Sequence, residues 1–142
     1  MGSLIRLRRV APAAFALLLS SVSLSADAPQ AAVKMLMTRD LAGVPGKEVV
    51  LSTVEYVPGG ASMPHRHDAN VFVYVLEGSF TTQVDGGEKV TLGPGQTFYE
   101  SPTDIHRVSA NGSQTQPAKI LVFMVKDEGK PGTRPVSTPA PR

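Results

Sequence analysis

Val71-Phe72-Val73-Tyr74-Val75-Leu76-Glu77-Gly78-Ser79-Phe80-Thr81-Thr82-Gln83-Val84-Asp85-Gly86-Gly87-Glu88-Lys89-Val90-Thr91-Leu92 holds a dense apolar run, a second run at hairpin distance, and a third beyond Asp85-Gly86-Gly87. Aspartate and glycine supply the positive-φ residues of a tight turn, so the stretch reads as consecutive antiparallel strands. The rhythm continues on both sides. Val49 to Val57 is β-branched and partly alternating until Pro58-Gly59-Gly60 stops it. Beyond the turn Gly93-Pro94-Gly95 come Thr97 to Glu100, Ile105 to Ser109 and Ala118 to Val125, separated by Ser101-Pro102-Thr103-Asp104 and by Asn111-Gly112. Short strands at this spacing, with no helical period longer than a few residues, predict an all-β antiparallel sandwich or barrel. Only Ala31 to Leu41 has the composition of a weak helix.

Both alternating faces of Val71 to Leu76 are apolar. The valines can line an interior, and Phe72, Tyr74 and Leu76 then point the other way and need a cover. The segment around Val33 to Met37 is one expected cover. A second copy of the chain is the more economical one for so small a core, which makes a homodimer the expectation.

The 142 residues amount to one domain with expendable ends. Residues 1–26 combine Arg6, Arg8 and Arg9, the apolar run Val10 to Leu19 and the small-residue run Ser20 to Ala26. This is the pattern of a secretory signal peptide, too short in its apolar part for a membrane span, and it implies a secreted or periplasmic protein. Removing it takes the formal charge from +2 to about −1, so the apparent basicity is mostly leader. No cluster of basic residues with interleaved aromatics remains, which argues against nucleic-acid binding. Residues 27–48 form an N-terminal segment, 49–127 the barrel, and 128–142 a proline-rich tail expected to be disordered. The absence of cysteine excludes thiolate ligands, thiol nucleophiles and iron–sulfur clusters, so any metal must be held by nitrogen and oxygen.

The chain has three histidines, His65, His67 and His106. Side chains at i and i+2 of a strand share a face, so His65 and His67 can grip one ion while Arg66 turns away. His106 follows after two hairpins, and barrel closure can bring it opposite. Neutral imidazole is a common ligand for zinc, iron, nickel and copper, and this clustering predicts a metal centre.

These residues resemble the two motifs of the cupin superfamily. In the first, a glycine some five residues ahead of His-x-His is followed by a glutamate three or four residues on and then, after six more, by glycine. Gly60-Ala61-Ser62-Met63-Pro64-His65-Arg66-His67, Val71 and Gly78 run in that register. Gly95, Ser101-Pro102-Thr103 and His106 are similar to the second motif. The resemblance covers roughly Val49 to Val125 and implies a jelly-roll barrel, the double-stranded β-helix, with a divalent metal (iron, manganese, nickel or zinc) in its mouth on His65, His67 and His106. The departures are specific. Val71 stands where the motif carries its metal-binding glutamate, and the motif's asparagine arrives one residue late as Asn111. The resemblance then implies a neutral three-histidine face, as in the thiol and diketone dioxygenase branches, suited to an anionic or enolate-forming ligand.

Glu100 and Tyr99 are the expected catalytic residues. Strand alternation aims one of them inward, and parity alone leaves open which, because a bulge in the neighbouring turn would invert it. Asp68 can bond a ligand imidazole or face solvent. Arg66 and Arg107 are expected to point away, and Met37, Met63 and Met124 to fill core gaps. Two functions follow: a metal-dependent oxygenase-like or isomerase-like enzyme acting on a small organic substrate, or a non-catalytic module or sensor that binds a small ligand or metal.

Overall fold

The computed structural model describes residues 31–136. The leader read in residues 1–26 and the last part of the tail lie outside them. Among the described residues every regular element is a strand: β1 Ala31–Asp40, β2 Lys47–Tyr56, β3 His65–Arg66, β4 Ala69–Glu77, β5 Phe80–Val84, β6 Val90–Leu92, β7 Thr97–Glu100, β8 Ile105–Asn111, β9 Ala118–Asp127 and β10 Arg134–Pro135. They form two five-stranded antiparallel sheets, ordered β1-β2-β9-β4-β7 and β10-β3-β8-β5-β6. The sheets face each other as a jelly roll, and the all-β expectation holds.

Alternation sets the core. Ala69, Val71, Val73 and Val75 of β4 are buried, as are Ala118, Ile120, Val122 and Met124 of β9 and Phe80 of β5. Full burial of the valine, isoleucine, methionine and phenylalanine side chains among these is worth about 1.5–3 kcal/mol each. Gly78 (φ +71°) turns β4 into β5 where a Cβ would lie 2.2 Å from the carbonyl oxygen of Pro117, so only glycine fits. Asn111 explains its late arrival. Val84 pairs with His106 and Gln83 with Val108, so Arg107 bulges from β8 and absorbs the extra residue. The Asn111 amide then donates to the carbonyls of Val57 and Gln116 at 3.0 and 2.7 Å, tying together the loops that follow β2 and β8.

Several expectations change. Residues 31–40 form a ten-residue strand on β2 instead of a weak helix, because the β2 edge offers a full ladder of partners. That position is separated from β4 by β2 and β9, so the segment does not cover Phe72, Tyr74 and Leu76, which stay 47, 44 and 37% exposed. The tail is also placed differently as far as Val136. Arg134 and Pro135 pair with Arg66 and His65, Arg134 Nε sits 2.8 Å from Asp68, and the Val136 N–H donates to the carbonyl of Pro64. Among the described methionines Met124 is core, while Met37 and Met63 are exposed.

Candidate metal centre

The short strand β3 pairs with β8 so that His65 and His106 are direct cross-strand partners. His67 follows on the same face. The rings of His65 and His67 lie 4.8 Å apart between centroids, and those of His65 and His106 5.0 Å. One nitrogen from each histidine lies within 4.8 Å of the others, so the sequence's three candidate ligands converge.

Each ring has one nitrogen engaged by an orienting partner. His65 Nδ1–H donates to the carbonyl of Met63 at 2.8 Å, and His67 Nδ1–H to the carbonyl of Gly132 at 2.7 Å with the Thr133 hydroxyl at 3.2 Å. A carbonyl only accepts, so both rings carry the proton on Nδ1 and leave Nε2 as a lone pair. His106 differs, with Nε2 hydrogen-bonded to the buried Thr82 hydroxyl at 2.6 Å, a group that both donates and accepts. Its Nδ1 is buried and has no hydrogen-bond partner. A buried ring nitrogen left unpaired is costly unless something else satisfies it, and with the ring proton on Nε2 a cation does so. Burial is the largest cause holding the His65 imidazole below its ordinary pKa; its Met63 bond opposes, and the charges of His67 and His106 add to the lowering. A neutral ring is the form that binds metal. This donor set fits a divalent ion.

Strand pairing settles the Tyr99 and Glu100 question. β7 runs antiparallel to β4 with Val71 opposite Glu100 and Phe72 opposite Tyr99. Glu100 therefore shares the inner face of the valines and is 2% exposed. Its Oε2 is 3.0 Å from His106 Nδ1 and 3.9 Å from His67 Nε2. Tyr99 points outward, 49% exposed, donating to Asn70 and packing on Phe72, so the structure takes it out of the site. Asp68 pairs with Arg66 and Arg134, and Arg107 with Asp85, all away from the histidines.

Below the histidines lies a cavity of about 360 Å³. Val54, Val71, Val73, Ile120, Val122 and Met124 make most of its wall apolar, and Ser52, Tyr56, Ser62 and Ser109 give it hydroxyls. The Tyr56 hydroxyl lies 2.7 Å from that of Ser109 and 3.1 Å from that of Ser62. Burial pushes the Tyr56 phenol above its ordinary pKa, so it stays protonated. Sequence reasoning missed Thr82, Gly132, Thr133 and this hydroxyl cluster. Inward parity on β5 was a signal for Thr82; nothing local marks Gly132.

Residues 52–124, just over half of the 142-residue chain, match the cupin domain family. The chain is a cupin. No curated protein matches it. This cupin is similar to the polyketide cyclase RemF from Streptomyces resistomycificus at 26% identity and a TM-score of 0.58, over 77% of this chain and 72% of that one. It is similar to recombinant oxalate oxidase in complex with glycolate at 24% identity and a TM-score of 0.57, over 75% of this chain and 55% of the oxidase. The DMSP lyase DddQ from Ruegeria pomeroyi DSS-3 aligns at 18% identity and a TM-score of 0.60, over 75% of this chain and 51% of the lyase. For the last two the likeness is one of fold, and the cupin spans about half their length.

Proposed function

We propose that this cupin holds one divalent ion (iron, manganese, nickel or zinc) through His65 Nε2, His67 Nε2 and His106 Nδ1, and receives a small organic molecule in the cavity beneath. The observation that carries this is the convergence of one nitrogen from each of three histidines within 4.8 Å, each ring with its other nitrogen already hydrogen-bonded. Bound there, the ion would supply Lewis acidity and open coordination positions, which makes oxygenase-type turnover the leading reaction class. The chain's own residues set what enters. The valine wall favours an apolar body, and the protonated Tyr56 with Ser62 and Ser109 can orient a polar end. That a cupin-fold oxidase has been seen with glycolate supports a small oxygenated ligand.

The second reading, a non-catalytic binding module or sensor, is favoured by the outward position of Tyr99, which leaves the cavity with Glu100 and a neutral phenol as its ionisable groups besides the histidines. Oxygen uptake by the iron-loaded protein with a panel of diketones, thiols and phenols separates the two. Turnover supports the enzyme; ligand binding by a fully loaded site without turnover supports the module; failure to load any metal contradicts the enzyme and the metal-holding form of the module.

We also propose export to the periplasm or beyond, on the pattern of residues 1–26, and a homodimer that covers Phe72, Tyr74 and Phe123 on the outer face. N-terminal sequencing of the protein recovered from cell fractions tests the first. Light scattering tests the second, and a monomer at micromolar concentration contradicts it.

A further inference from the structure

Glu100 is a buried carboxylate whose ion-pair neighbours are imidazoles rather than a lysine or arginine. A carboxylate placed so is costly to bury unless a cation meets it. Its contact with His106 is not a hydrogen bond. Oε2 is 3.0 Å from Nδ1, yet Nδ1 counts no hydrogen-bond partner, so the oxygen stands off the ring's N–H axis. With the His106 proton on Nε2, shared with the Thr82 hydroxyl, the Nδ1 lone pair and the carboxylate oxygen repel at this distance unless they share an ion. Donors each about 2.1 Å from one ion stand about 3.0 Å apart at right angles and about 4.2 Å apart when opposite. The observed 3.0 and 3.9 Å from Oε2 to the His106 and His67 nitrogens fall in that range.

We propose that Glu100 is a fourth protein ligand of the ion, delivered from β7. The inference rests on the three-histidine reading and deepens it. Val71, directly across the β4–β7 ladder, faces the same interior, so one rung of the sheet offers two places from which a carboxylate can reach the centre, and this chain uses the β7 place. The consequence is a changed ligand preference. A carboxylate lowers the net charge of a +2 centre to +1 and reduces the open positions of an octahedral ion from three to two. Such a centre takes a neutral or singly charged chelator of two adjacent atoms, in preference to a dianion.

The test compares zinc affinity by calorimetry, and the visible spectrum of the cobalt-loaded protein, in the parent chain, Glu100→Gln, Glu100→Val, the swap Val71→Glu/Glu100→Val, and His106→Ala. Thermal melts report folding. The expected result is a loss of about 100-fold or more in Glu100→Val, above the 10–100-fold of an outer-shell change. The cobalt bands of Glu100→Gln shift, and the swap recovers most of the affinity. Parental affinity and spectrum in both single variants overturn the fourth ligand, while loss of binding in His106→Ala keeps the three-histidine reading intact. Lost affinity in Glu100→Val without recovery in the swap, and with a parental spectrum in Glu100→Gln, assigns Glu100 to packing and overturns the proposal. A parent chain that takes up no metal overturns both readings.

Discussion

The two halves of the metal centre are built differently. His106 and Glu100 sit on the ordered strands β8 and β7, 3 and 2% exposed, and His106 is oriented by Thr82 on the adjacent strand β5. His65 and His67 sit at the mouth on the two-residue strand β3 and the residue after it, and the partners that orient them are backbone carbonyls of Met63 and Gly132. The buried half is preorganised by the sheet. The mouth half borrows its geometry from residues 130–136, which lie outside the stretch that matches the family. A site built this way can have its affinity tuned from the mouth while the barrel stays intact.

The largest effect expected from breaking this contrast is removal of residues 131–142. It deletes the Gly132 carbonyl, the Thr133 hydroxyl and the β10 pairing, and should weaken zinc binding by about 10–100-fold. Calorimetric titration measures it, with a melting temperature within a few degrees of the parent. An unchanged affinity would show that His67 needs no help from the tail. Thr82→Val probes the buried half. It leaves His106 Nε2 without its hydroxyl partner, a loss of about 1–3 kcal/mol in stability, while the rigid sheet limits the loss of zinc affinity to about tenfold.

The smallest effect concerns the hinge of the tail. Lys126 Nζ pairs with Glu48 inside the barrel end and donates to the carbonyl of Lys130, while the Gly129 N–H donates to Glu48. The hydrogen bond to Lys126 is the largest cause holding the Glu48 carboxyl below its ordinary value of 4.5. A depressed carboxylate pKa stabilises the fold above the unfolded value, and that contribution is lost as pH falls through the folded one. Melting temperature should therefore drop below about pH 4.5, and Glu48→Gln should flatten that acid limb. An identical limb in the variant would assign acid sensitivity to other groups.

How much of this could be read from the sequence follows the same division. Strands β4, β5, β8 and β9 were legible because alternation and turn residues are local signals, and the histidines because so few of them fall in so narrow a register. The Ala-Ala-Val-Lys-Met-Leu-Met run of β1 carries good helix formers, and only its pairing with β2 makes it a strand. Glu100 and Tyr99 could not be told apart by parity, since the answer lies in which residue of β7 faces Val71. The tail's role was least legible, because the Gly132 carbonyl reaches His67 across 65 residues and a backbone acceptor has no sequence signature.

The most direct test of the central claim is metal analysis of the purified parent chain and His106→Ala after identical loading. The account predicts one divalent ion per chain in the parent and none retained in the variant, with both folded by circular dichroism. A folded parent that retains no ion, or a variant that holds it as tightly, would contradict it.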